Sequence, residues 1–175
     1  MSRQDHEAKA EQTLRSTDTY RVPVAIDVVA HRLGLTMEAA GLGESASGML
    51  VVEHGRGAIC YNAMHAPVRQ RFTIAHEIAH YILHVTKSSR KSRLFIDRSV
   101  TFRRDENSST GDDKEEVEAN QFGAALLMPR SLVLLEVKKN DLDLDDEDAI
   151  SLLAKRFHVS ASAMTHRLAN LGQIR

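Results

Sequence analysis

Cysteine is almost missing from this sequence: Cys60 is the single one in 175 residues. No intrachain disulfide can form, which excludes the disulfide-stapled scaffolds of small secreted proteins. An excess of charge of one sign is lacking too. The 23 Lys and Arg nearly cancel the 24 Asp and Glu, so the chain as a whole is no polycation built for nucleic acid or membrane. With three prolines and nine glycines, a fibrous or linker-like composition is excluded. No stretch reaches the roughly 18 consecutive apolar residues of a membrane span. The first residues, MSRQDHEAKAEQTLRS, are polar where a signal peptide needs an apolar run. The expected location is the cytoplasm.

What is present suits a globular chain, 42% apolar and 27% charged, long enough to bury a core. Residues 1–20 read as a polar lead-in that turns helical near its end. Val22 to Leu35 reads as an amphipathic helix stopped by Gly34. Gly41 to Gly48 reads as a loop. The runs Met49-Leu-Val-Val and Ala58-Ile-Cys-Tyr flank a glycine-containing turn and predict a β-hairpin. Pro67 fits the first position of a helix reaching about His84, apolar on more than one face and therefore buried. Residues 85–112 lack periodicity and read as irregular. Helices follow over 114–128 and, after Pro129, to about Lys138. The acidic run Asp141 to Asp148 reads as a linker that also charges the start of the next helix. Ala149 to Gly172 reads helix–turn–helix, with Ser160 as N-cap and Gly172 as stop. The expected division is a lead-in over 1–20, a main domain over 21–140 and the C-terminal helical segment over 141–175.

Residues 76–80 read His-Glu-Ile-Ala-His. On a helix, positions i and i+4 lie one turn apart on one face, so His76 and His80 can aim at a single ion. Glu77 stands beside that face, where its carboxylate can take a proton from a water whose pKa zinc has lowered to about 7. The surrounding helix is apolar, and buried imidazoles and carboxylates need partners, which a metal supplies. The plainer alternative is two surface histidines beside an acid. His84 continues the i+4 series one turn beyond the ion; it reads as a helix C-terminal residue, with a role behind the ligands as the alternative.

A catalytic zinc needs a third protein ligand. The helix Glu115-Glu-Val-Glu-Ala-Asn-Gln-Phe-Gly offers several glutamates. Glu116 shares its face with Ala119, Asn120 and Gly123, small residues that permit close approach to the metal helix, and Asn120 can hydrogen-bond a ligand. Glu118 lies on a face with Phe122 and Ala125 and stays open as the second choice. A solvated acidic first turn is the alternative for all of them.

The remaining features are weaker. The C-terminal helix pair presents Ala161-Ser-Ala-Met where a DNA reader needs Arg or Asn, and its cations (Lys155, Arg156, Arg167, Arg175) are few. Packing against the main domain or gripping a protein substrate is the favoured reading, and direct nucleic-acid binding the lesser one. The basic stretch Lys87 to Arg104 reads as a solvated loop, Ser108 and Ser109 have no assignable base, and Cys60 reads as a small buried hydrophobe.

Taken together, RFTIAHEIAHYILH, RRDENSSTG, EEVEANQFGAALLMP and LAKRFHVSASAMTHRLANLG resemble the ImmA/IrrE family of metallopeptidases, over about Val22 to Ile174. Gly123 stands where that resemblance leads one to expect alanine. The resemblance implies an α+β, mainly helical zincin-like domain with a small β-sheet, followed by the helix–turn–helix-like segment. It implies one zinc ion per chain with a glutamate as third ligand, Glu116 in Glu116-Val-Glu-Ala-Asn120. It also implies cleavage of a DNA-binding repressor or antitoxin. The reading that follows is a zinc endopeptidase with His76, His80 and Glu116 on the metal and Glu77 as general base. The reading from another class is a non-catalytic regulatory module, docking a repressor or DNA, with a structural or vestigial metal site.

Overall fold

The computed structural model describes residues 2–43, 46–54, 56–86, 92–98 and 111–174. The architecture is α+β. Helix α1 spans Arg3–Ser16 and α2 Ile26–Arg32. Three strands follow, β1 Leu35–Ala40, β2 Ala46–Glu53 and β3 Arg56–Asn62. Helix α3, Pro67–His80, runs on into a π-helical turn over Tyr81–Val85. Strand β4 is Ser92–Arg98, and the chain closes with α4 Gly111–Leu127, α5 Arg130–Lys139, α6 Glu147–Phe157 and α7 Ala161–Asn170.

The sheet order is β1-β3-β2-β4. Strand β1 runs parallel to β3, while β2 is antiparallel to both β3 and β4. The expected hairpin is therefore present, in the register Leu50 to Ile59, and two strands join it that the sequence reading lacked. Both added strands are edges. The β2–β4 pairing shifts register between Ala46 and Gly48, a bulge of the kind that bends a strand beside a site.

Helix α1 corrects the reading of a lead-in ordered only near its end. It starts at Arg3 behind a capping box, in which Ser2 Oγ accepts from the Asp5 N–H and Asp5 accepts from the Ser2 N–H. Its buried stripe of His6, Ala10, Thr13 and Leu14 packs on α4. Helix α2 is shorter than expected, and Gly34 follows it with a φ of 78°, a conformation that favours glycine. Pro67 begins α3 as expected. Pro129 acts as N-cap of α5, Ser160 Oγ caps α7 by accepting the Ala163 N–H, and Asp146 caps α6. The reading of 85–112 as irregular is corrected over 92–98, where β4 forms; Arg103, Arg104, Ser108 and Ser109 lie outside the described residues.

The core fills the space between one face of the sheet and the helices. Leu50, Val52 and Ile59 from the sheet, Ile74 and Ile78 from α3 and Phe122 and Leu126 from α4 are all buried. The C-terminal pair is tied in by polar contacts as well. Arg167 of α7 is buried; its Nε donates to the Met128 carbonyl at 2.9 Å, and its two terminal nitrogens donate to Glu7 of α1 at 2.5 and 2.6 Å. Arg167 was counted above among cations available to nucleic acid. It is spent inside the fold instead. Among the described residues no helix is long and apolar enough to cross a membrane.

Candidate metal centre

Helix α3 lies beneath the sheet, so every residue from Thr73 to His80 is buried. Burial makes the polar members of that stretch dependent on what faces them. Helix α4 supplies it. Gly123 permits the approach, because a Cβ there would stand 3.2 Å from the His76 main-chain nitrogen and 3.3 Å from the Ala75 carbonyl carbon. The absence of a side chain at this one position sets how near the two helices lie.

At the crossing, three side chains meet. The Nε2 atoms of His76 and His80 are 3.0 Å apart. Glu116 places Oε2 3.3 Å from His76 Nε2 and Oε1 3.1 Å from His80 Nε2. All the donor atoms of this group lie within 4.8 Å of one another. Glu118, the second choice for a third ligand, is not part of the group. Asn120 takes the place foreseen for it: the His76 Nδ1–H donates to Asn120 Oδ1 at 3.1 Å. That bond fixes the tautomer and leaves the His76 Nε2 lone pair pointing at the group. On His80, Nδ1 finds no hydrogen-bond partner among the described residues, and the ring is stacked on Phe95 of β4 with centroids 4.5 Å apart.

Zinc is the ion that the resemblance implies, and the donor set fits it. Bonds of about 2.1 Å in a tetrahedral site give ligand atoms about 3.4 Å apart. The observed separations of 3.0 to 3.3 Å are close to that edge. With His76 neutral and its Nδ1–H on Asn120, His76 Nε2 and both Glu116 oxygens are acceptors turned to one point. A cation serves all of them at once. Burial pushes the Glu116 carboxyl upward, but the hydrogen bonds and charge of His80 and His76 outweigh it and hold the group well below the usual carboxylate range.

Glu77 is fully buried beside this group and faces the sheet. A Cβ on Gly48 would come within 3.3 Å of Glu77 Oε1 and 2.3 Å of the Thr73 methyl. Thus the structure brings together His76, His80 and Glu116, with Glu77 adjacent. Two neighbours were missed in the sequence. Phe95 sat in a stretch read as irregular, where its short apolar run Leu94-Phe-Ile was the available signal. Gly48 gave none, since its contact with α3 crosses from strand to helix. Cys60 lies in β3, half-buried, its thiol pushed up by burial and by Glu38.

The chain matches a peptidase family model described as the IrrE N-terminal-like domain over residues 24–169. No curated protein matches it. That span takes in α2 through nearly all of α7, so the helix pair at the crossing and the C-terminal helices both fall inside the matched region. On this ground the chain belongs to the ImmA/IrrE family, and its function at the level of that family is metallopeptidase-like.

Proposed function

We propose that this chain is a zinc-dependent endopeptidase in which His76, His80 and Glu116 hold one metal ion and Glu77 is the general base. The observation that carries the reading is the convergence of two imidazole nitrogens and a carboxylate at 3.0 to 3.3 Å, with a buried glutamate next along the helix. Zinc held there supplies Lewis acidity, polarising a peptide carbonyl and making water acidic enough to be deprotonated near neutral pH. Glu77 accepts the proton of the attacking water and passes it to the nitrogen of the leaving amine. Asn120 keeps His76 in the tautomer that ligation needs, and Phe95 limits how far the His80 ring can turn. Gly48 leaves room for the Glu77 carboxylate against the sheet.

The proposed substrate is a protein, a DNA-binding repressor or antitoxin, as the family resemblance implies. Direct binding of nucleic acid gains nothing from Arg167 of α7, which is occupied by Glu7 and Met128. Elemental analysis of purified protein tests the site. About one zinc per chain is expected in the wild type and in Glu77→Gln, and little in His80→Ala and Glu116→Ala. Peptide-library digestion read by mass spectrometry should lose at least about 100-fold in Glu77→Gln. No metal in the wild type after zinc is supplied would overturn the proposal. Cleavage surviving Glu77→Gln would remove Glu77 from its role.

A further inference from the structure

The histidine series on α3 does not end at the metal group. His84 stands one turn past His80, inside the π-helical turn Tyr81–Val85. Such turns insert an i→i+5 step that re-aims side chains, and they recur at functional sites. Here the turn keeps His84 on the side facing α4. Its ring centroid is 5.5 Å from that of His80, and its Nδ1 is 4.0 Å from Glu115 Oε1. The side chain is 7% exposed. Glu115 is the residue immediately before Glu116.

The helices cross antiparallel. Asn120 meets His76, Glu116 meets His76 and His80, and Glu115 meets His84. Glu116 therefore lies between two ties, one to His76 through Asn120 and one to His84 through Glu115. Glu116 is the sixth residue of α4, more than a turn from its start. Its side chain is 45% exposed, so packing alone does not hold it. A buried ring set against the side chain of the preceding residue limits how far that part of α4 can turn away.

We propose that His84 is a positioning residue for the metal centre: from the π-helical turn it packs against Glu115 and sets the turn of α4 that carries Glu116, so that Glu116 reaches both His76 and His80. This inference rests on the metal-site reading above. The test is zinc affinity of the full-length, metal-stripped chain, measured by chelator competition, together with the thermal midpoint of the metal-free protein. His84→Leu keeps buried bulk and removes the ring donor; His84→Asn keeps an N–H near the position of Nδ1. The expected result is a loss of about 10- to 100-fold in affinity for His84→Leu, with His84→Asn within a few-fold of wild type and metal-free midpoints of both close to it. Unchanged affinity in His84→Leu overturns the proposal, as does an equal loss in both variants. Should His84→Leu not fold, a loss beyond tenfold in His84→Asn overturns it. A wild type that binds no zinc instead defeats the metal-site reading itself, which separates the two failures.

Discussion

Glu77 depends on a residue that has no side chain. Its carboxylate and the Thr73 methyl occupy the space where Gly48 would carry a Cβ. We expect Gly48→Ala to destabilise the protein by about 1–3 kcal/mol through overpacking, measured by urea unfolding of the metal-free form. Thr73→Ser, which deletes only the methyl, should recover part of the loss when combined with it; no recovery would place the strain elsewhere. At this scale the site was legible in proportion to how local its pattern is. The spacing of His76, Glu77 and His80 is one helical turn, and the small-residue face of Glu116, Ala119, Asn120 and Gly123 is a helix property too, so both could be read. The role of Gly48 was not legible because it arises where a strand meets a helix. Arg167 was misjudged for the same reason: whether an arginine faces solvent or a half-buried glutamate far away in the chain is not written in its neighbours.

Among the elements, those with strong periodicity or sharp punctuation were legible. Pro67, Ser160, Gly34 and Gly172 mark ends that the structure keeps. The edge strands were hidden by chemistry. Strand β1 reads Leu-Thr-Met-Glu-Ala-Ala and buries only Leu35 fully, and β4 lies in a basic stretch; each owes its form to a partner distant in sequence. Helix α1 is polar with a narrow buried stripe, and the Ser2–Asp5 capping box was the overlooked signal. Its link to α5 yields a pH prediction. The Ser131 N–H donates to Glu11 at 3.1 Å. Burial raises the Glu11 carboxyl, but the bonds from Ser131 and Tyr20 and the charge of Arg15 hold it below its ordinary 4.5. A depressed folded-state pKa means this stabilisation is present above pH 4.5 and fades as pH falls through the lower folded value. Glu11→Gln should therefore cost about 1 kcal/mol at pH 7 and progressively less as pH falls below 4.5, by urea unfolding across that range.

For the molecule as a whole, periodicity marked most of the helices and the hairpin, and the family resemblance implied the α+β class, while sheet order was not legible because strand pairing is a long-range choice. The C-terminal pair is bound to the rest through Arg167, Glu7 and Met128. Arg167→Leu strands a partly buried carboxylate and an unpaired carbonyl, and should cost about 3–5 kcal/mol in chemical denaturation. A cost below about 1 kcal/mol would mean that the helices hold by apolar contact alone.

Arg71, in the first half of α3, donates to the Val24 carbonyl at 2.8 Å and to the His158 carbonyl at 3.2 Å. Val24 precedes α2, and His158 lies in the corner between α6 and α7. In mechanical terms, the helix carrying His76, Glu77 and His80 is a beam clamped by a guanidinium fork to both flanks of the chain. A load placed on the C-terminal helices reaches the helix of His76 and His80 across the single hydrogen bond to His158 and does not have to travel along the backbone between them.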